Sequence, residues 1–215
     1  MNELRLVLAD DHDLFRTGLR NLLADQGLEI AGEASTGAEA VSLVRELAPD
    51  VVVMDLKMPG MTGVDATRQI ASLAPQTRVV VLTISDEDED VLDAIFAGAC
   101  GYLLKDSSIE DLVAGVRAAA VGESLISPAI AARVLTHLRA AGAAAGELAP
   151  VRTELSDREL QVLKLLAGGK DNAEIARELV ISPKTVKNHI SNILAKLQIE
   201  NRIQAAVYAV RAGLA

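Results

Sequence analysis

The chain has 215 residues, half of them hydrophobic, with 24% charged and a formal net charge of -9. That length suits two domains, each large enough to bury its own core, and the hydrophobic content excludes wholesale disorder. Aromatic residues make up only 2% and Trp is absent. The cores must therefore be built from Ala, Val, Leu and Ile, which leaves little material for an aromatic-lined ligand pocket.

The charge is unevenly placed. Residues 1–122 carry nine basic and 21 acidic side chains, a net of -12. Residues 123–152 come to +1 and residues 153–215, with nine basic and seven acidic, to +2. Only the C-terminal third is locally compatible with phosphate contacts. The single cysteine, Cys100, permits no intrachain disulfide and no clustered zinc site, and reads as a small buried thiol. The N-terminus enters the pattern RLVLADD within a few residues, and no apolar run is long enough to span a bilayer. A cytoplasmic location with no membrane partner is expected.

From residue 4 to about 120, short apolar runs (LRLVLA, LEIAGEA, VVVM, RVVVLT, GYLL) alternate with helical patterns beginning near Leu14, Gly37, Gly63, Ser85 and Ser108. Five βα units with continuous Val/Leu strands predict an α/β domain, a doubly wound five-stranded parallel sheet covered on both faces. Ser107 with Glu110 has capping-box spacing at the fifth helix. After Gly122, Ser127-Pro128 predicts a helix to about Arg139, and AAGAAAGELAP reads as a flexible tether able to allow docked or released arrangements of the two domains. The predicted organisation is a first domain over 1–122, a linker over 123–152 with one helix near 128–139, and a separate four-helix domain over 153–215. In that last domain Ser156 with Glu159, and Asp171 with Glu174, have capping-box spacing. Gly168-Gly169 stops the first helix, Ser182-Pro183 starts the third, and the fourth runs from about Asn201 to Gly213.

In an open parallel sheet, functional groups gather at the carboxyl ends of the strands. Here those positions hold Asp10-Asp11, Asp55, Thr83 and Lys105. Each has a bland reading alone: a helix cap, a strand end, a solvated loop lysine. Together they form a chemically matched set, and carboxylates at such close quarters are reconciled by a hard divalent cation bound through oxygen, Mg²⁺ being usual where phosphate is handled. The segments ADDHDLFRTGL, VVVMDLKMPGMTGVD and VVLTISDEDEDVLDAIFAGACGYLLKD together resemble the receiver domain of response regulators, the CheY-like fold with flavodoxin-like strand order. The resemblance implies Asp55 as phosphoacceptor, and Asp10 and Asp11 with Asp55 as the Mg²⁺ site. It further implies Lys105 as the cation on the phosphoryl group and Thr83 as the hydroxyl that senses it. An in-line attack of a carboxylate on phosphorus fits this set, because catalysis there is mainly positioning and electrostatics. Tyr102 reads either as a core-edge tyrosine with its hydroxyl in water or, from its family position, as a switch that rotates when Thr83 moves. Asp106 stands where many receivers have proline, Lys57 and Ser85 flank the pocket, and His12 is assigned no catalytic role.

In the third C-terminal helix, Val186, Ile190, Ile193, Leu194 and Leu197 fall on one face. Lys184, Asn188, Ser191, Asn192 and Ala195 lie opposite, with Lys187 at the flank. That outward face suits the major groove, and Thr185, His189, Lys196 and Arg202 are candidate phosphate partners. By composition alone the solvated side of a small helical bundle is the favoured reading, since a net +2 is a weak basic signal. LSDRELQVLKLLAGGKDNAEIARELVISPKTVKNHISNILAKLQIENRIQAAVYA resembles the LuxR-type helix-turn-helix and, with the receiver, the NarL/FixJ response regulators. That implies double-stranded DNA with paired half-sites, a sensor histidine kinase and a homodimer on activation as partners, the fourth helix helping to pair protomers. The chain is then a transcription regulator rather than an enzyme. An aspartyl phosphatase normally wants a second Asp where Lys57 stands, and an acyl-homoserine lactone receptor is opposed by the scarcity of aromatics and by the acid cluster.

Overall fold

The computed structural model describes residues 4–84, 88–123, 155–168, 170, 172–197, 199, 201–212 and 214. The chain divides into two compact units, Met1–Ile130 and Ala131–Ala215. Residues 124–152 of the expected 123–152 linker, with its helix near 128–139 and its Ala/Gly tether, lie outside the described residues, as do Ser85 and Asp171.

The first unit runs β1 (Arg5–Ala9), α1 (Asp13–Asp25), β2 (Glu29–Ala34), α2 (Gly37–Leu47), β3 (Val51–Met54), α3 (Gly63–Leu73), β4 (Arg78–Thr83), α4 (Asp88–Phe96), β5 (Gly101–Leu104) and α5 (Ile109–Ala120). All strand pairs are parallel, in the order β2-β1-β3-β4-β5. This is the expected doubly wound sheet. Alternation along each strand feeds two cores. Leu6, Leu8, Val51 and Val53 pack with Leu19 and Leu23 of α1 and Leu112 and Val116 of α5. Val7, Ala9, Val52 and Met54 pack with Val41 and Val44 of α2 and Ala66 and Ile70 of α3 on the other face. The central strand β3 is buried at every position, whereas the edge strand β2 is only partly covered.

Helix starts follow local side-chain chemistry. Thr36 and Thr62 accept the backbone N–H of Glu39 and Asp65 at the heads of α2 and α3. At α5 the cap is Ser108, accepting from the N–H of Asp111 at 3.1 Å, not the expected Ser107 with Glu110. The physical reason is that the N–H of Ser107 is already bonded to the carbonyl of Leu104, closing the turn after β5 and moving the helix start one residue on. The described part of the fourth helix is Asp88–Phe96, and its expected start near Ser85 lies outside the described residues.

The second unit comprises α6 (Asp157–Ala167), α7 (Asn172–Leu179), α8 (Pro183–Leu197) and α9 (Arg202–Arg211) among its described residues. Its core is formed by Val162, Leu163, Leu166, Ile175, Val186, Ile190, Ile193 and Ala205. The expected Ser156/Glu159 capping box is present, Ser182 caps α8 through the N–H of Thr185, and Asn201 caps α9 through that of Gln204. Glu159 does more than cap: its carboxylate also accepts from Lys196 Nζ at 2.7 Å, tying α6 to the end of α8. The bond from Lys196, and then those from Ser156, hold the Glu159 carboxyl at about 2, below its ordinary 4.5.

Two expectations follow from this packing. A methyl group on Gly63 would lie 1.9 Å from the carbonyl oxygen of Asp55 and 2.7 Å from Leu56 Cα, both fixed backbone. Gly63→Ala should therefore cost about 3 kcal/mol in urea unfolding, and a wild-type midpoint would contradict the close approach. A carboxyl depressed in the folded state stabilises above its unfolded value, and that contribution is lost as pH falls. Hydrogen-exchange stability of α6 should accordingly decline from pH 4.5 towards 2 by about 1–2 kcal/mol, a figure discounted for the half-exposed lysine. In Glu159→Gln the decline should shrink; the same decline in the variant would show that another group is responsible.

Candidate functional site

Register, more than any single residue, assembles the site. Ala9 of β1 pairs with Met54 of β3, so Asp10 and Asp55 leave the sheet side by side, and the N–H of Asp55 donates to the carbonyl of Ala9 at 2.8 Å. Thr83 pairs with Leu104 across β4 and β5, and the N–H of Lys105 donates to the carbonyl of Thr83 at 2.9 Å. Four strands thus deliver their terminal residues to one edge.

There, Lys105 Nζ lies 2.7 Å from Asp10 Oδ2 and 2.7 Å from Asp55 Oδ2. Side-chain exposures are 13% for the lysine, 6% for Asp10 and 5% for Asp55, so these charges meet with little water to screen them. Burial works against the Lys105 charge, but hydrogen bonds and charges from Asp10 and Asp55 outweigh it and hold the ammonium above its ordinary value. The other oxygen of Asp55, Oδ1, accepts from the backbone N–H groups of Leu56 at 2.7 Å and Lys57 at 3.4 Å. Asp10 Oδ1 likewise accepts from the N–H of His12 at 2.9 Å. Both carboxylates are fixed on one side by backbone, leaving the other for a cation.

Asp11 is exposed beside them, and ligand atoms of Asp10, Asp11 and His12 lie within 4.8 Å of one another. The carboxylates of Asp10, Asp11 and Asp55 are hard oxygen donors of the kind Mg²⁺ prefers. Lys105 already stands as a monovalent cation between two of them. The chemistry of this donor set fits a hard divalent ion, and the ligand atoms of Asp10 and Asp11 lie near enough to share one. His12, whose ring is 80% exposed and 3.9 Å from Asp11, contributes its backbone N–H to the pocket.

Thr83 is fully buried at the end of β4. Tyr102 pairs with Val81 and is also fully buried, which removes the reading of a core-edge ring with its hydroxyl in water. The Lys57 side chain pairs with Asp90 of α4 at 3.7 Å. No peptide bond among the described residues is cis, including the one before Asp106.

Two residues of α1 belong to this site and were not singled out from the sequence. Arg16 donates to the carbonyl of Asp10 at 2.5 Å and to Glu33 of β2 at 3.2 Å, pinning the backbone that carries the acid pair. Phe15 lies under the Lys105 ammonium, 4.6 Å from nitrogen to ring centroid. The available signal was position, since both fall in the first turn of the helix that follows Asp10-Asp11.

On the second unit, Val186, Ile190 and Ile193 are buried while Leu194 and Leu197 are half-buried, as the helical spacing predicts. Lys184, Lys187, Asn188, Ser191, Asn192 and Ala195 are exposed on α8, with Thr185 and His189 at its margins. Two of the expected phosphate partners have structural ties. Lys196 is bonded to Glu159, and Arg202 donates to Asn172 Oδ1 at 3.1 Å and to the carbonyl of Lys170 at 2.9 Å, bracing α9 against the start of α7. Among the described residues, no helix is long and apolar enough to cross a membrane.

Comparison with known proteins agrees with both units. Residues 6–117 match the response regulator receiver domain family, and residues 153–209 match the luxR family of bacterial regulatory proteins. The transcriptional regulatory protein LiaR of Bacillus subtilis is 46% identical over 209 residues, covering 97% of each chain. The response regulator protein VraR of Staphylococcus aureus is 38% identical over 212 residues, covering 98% of each. Among solved structures, the response regulator ChrA of a heme-sensing two-component system matches over the full length of both chains, with 35% identity and a TM-score of 0.55. The chain therefore belongs to the NarL-type two-component response regulators, transcription factors that join a receiver domain to a LuxR-type DNA-binding domain.

Proposed function

We propose that this regulator is switched by transfer of a phosphoryl group from a partner histidine kinase to Asp55, and that the modified form binds paired half-sites of double-stranded DNA through α8 as a homodimer in the cytoplasm. The observation that carries the reading is the Lys105 ammonium shared between Asp10 and Asp55 at 2.7 Å each, in a pocket where both carboxylates are buried. A carboxylate held this way is oriented for attack. As the bond from Asp55 oxygen to phosphorus forms, the bond from phosphorus to the kinase's histidine nitrogen breaks, and that nitrogen retains the electron pair.

Each side chain has a separate task. The N–H groups of Leu56 and Lys57 fix Asp55 through Oδ1. Lys105 offers its charge to the incoming phosphoryl oxygens, which carry nearly two negative charges at neutral pH. Asp10 and Asp11, with Asp55, would hold Mg²⁺, which when bound offsets charge on the transferred group. Thr83 stands at the neighbouring strand end, where its hydroxyl can donate to the acquired phosphoryl group, and buried Tyr102 lies two residues before Leu104 on the adjoining strand. Together they are the route by which the charge on Asp55 is registered by the face built from α4, β5 and α5.

For the second unit, Lys184, Lys187, Asn188, Ser191 and Asn192 are assigned to base edges. Thr185, His189, Lys196 and Arg202 are assigned to phosphates, the last two while also bracing the domain. The supporting observation is the exposed, polar and small face of α8 opposite its buried Val186, Ile190 and Ile193.

Mobility shifts on a selected operator, with intact protein and Asp55→Ala, test the switch. A small phosphodonor with Mg²⁺ should tighten wild-type binding by about tenfold, within the usual range of coupling between sites. It should leave Asp55→Ala unchanged, and chelation of Mg²⁺ during the phosphodonor treatment should abolish the gain. Equal affinity under all conditions would remove the switch from this account.

A further inference from the structure

We infer that Phe15 is a positioning residue for Lys105: its ring face holds the ammonium inside the pocket while the lysine exchanges Asp10 for the incoming phosphoryl group. The inference rests on the reading of Asp55 as phosphoryl acceptor and extends it to a residue that the acceptor chemistry does not itself require.

The geometry begins with the donor inventory. An ammonium has three N–H donors, and two are directed to Asp10 Oδ2 and Asp55 Oδ2. The ring of Phe15 lies 4.6 Å from the same nitrogen, within the roughly 6 Å over which a ring face attracts a cation. Phosphoryl transfer requires Lys105 to loosen these bonds, because Asp10 is wanted by a divalent ion and Asp55 by phosphorus. A buried ammonium stripped of one partner would otherwise be strongly drawn to the remaining carboxylate or out to water. A ring face attracts the charge without prescribing a donor direction. It can therefore retain the ammonium through a pivot that a hydrogen-bonding neighbour would resist.

The choice of side chain supports a role beyond packing. The whole chain has two Phe and two Tyr and no Trp. Phe15 is partly buried against a core whose other peripheral members, Leu4, Ile30, Ile109, Val113 and Ala120, are all aliphatic. An aliphatic residue would satisfy that apolar boundary equally well. What only an aromatic ring adds at this position is attraction for the lysine charge.

The test uses intact protein carrying Phe15→Leu, Phe15→Met or Phe15→Tyr, each also made with Lys105→Met. The rate of phosphoryl uptake from acetyl phosphate at saturating Mg²⁺ is split into maximal rate and half-saturating donor concentration. The ring-current shift of the Lys105 ε-methylene protons is read by NMR. Phe15→Leu and Phe15→Met should lower the maximal rate by about three- to tenfold and abolish the ring-current shift. Phe15→Tyr should keep both the shift and a rate within about twofold of wild type. With Lys105→Met already present, loss of the ring should produce no further decrease, because the two residues act through one contact. The methionine variant fills the ring's space with a flexible side chain, so agreement between Leu and Met separates loss of the ring face from a folding defect. A full wild-type rate in both variants, an equal loss in the Lys105→Met background, or failure of Tyr to restore the rate overturns the inference. If wild-type protein takes up no phosphoryl group, it is the proposed acceptor role of Asp55 that fails, a result distinct from any ordering among the Phe15 variants.

Discussion

Two buried carboxylates placed side by side repel each other unless a cation stands between them, and Lys105 supplies that cation to Asp10 and Asp55 at 2.7 Å each. The arrangement sets one positive charge between two carboxylates in a place from which water is largely excluded. Removing one partner of such a buried cluster leaves an uncompensated charge, costing on the order of 3–5 kcal/mol. The same constraint makes the pocket responsive. A pocket that seats an ammonium between two carboxylates presents the oxygen donors that a divalent cation takes.

The fold sustains this cluster through backbone rather than through side-chain bulk. Parallel pairing of β1, β3, β4 and β5 sets which residues leave the sheet together, and the N–H of Asp55 is tied directly to Ala9. Gly63 then allows the head of α3 to lie against the backbone of Asp55 and Leu56, with its own N–H bonded to the carbonyl of Leu56. On the other side Arg16 pins the Asp10 carbonyl to α1 and β2. The charged residues can therefore be mobile at their tips while their main chain stays fixed, which is what a chemical step followed by a structural response demands.

The strands and most helices were legible because their signals are strong and local. Continuous Val/Leu runs are what a doubly covered parallel sheet requires, and Thr, Ser and Asn caps stand where helices begin. Asp10, Asp55, Thr83 and Lys105 were legible because each directly follows or ends a strand, with Asp11 next to Asp10, so their placement at one sheet edge depends only on strand order. The misplacement of the α5 cap from Ser108 to Ser107 has a comparable origin: both serines have an acidic residue three positions on, and only the turn bond from Ser107 to Leu104 distinguishes them. Phe15 and Arg16 were not legible, since their contacts run across 90 residues to Lys105 and back to a carbonyl, neither of which leaves a periodic trace. The dual position of Lys196 was hidden for the same reason. A lysine on a polar helix face reads as a phosphate contact until Glu159 is found 2.7 Å away.

The account turns on Asp55 being the atom-accepting member of this charge cluster, and it is tested most directly by peptide-resolved mass spectrometry after brief exposure to acetyl phosphate with Mg²⁺. One phosphoryl group confined to the peptide containing Asp55, and absent when EDTA replaces Mg²⁺, is the predicted result. A chain that stays unmodified, or that carries the group on Asp10, Asp11 or a residue outside the strand-end cluster, would contradict it.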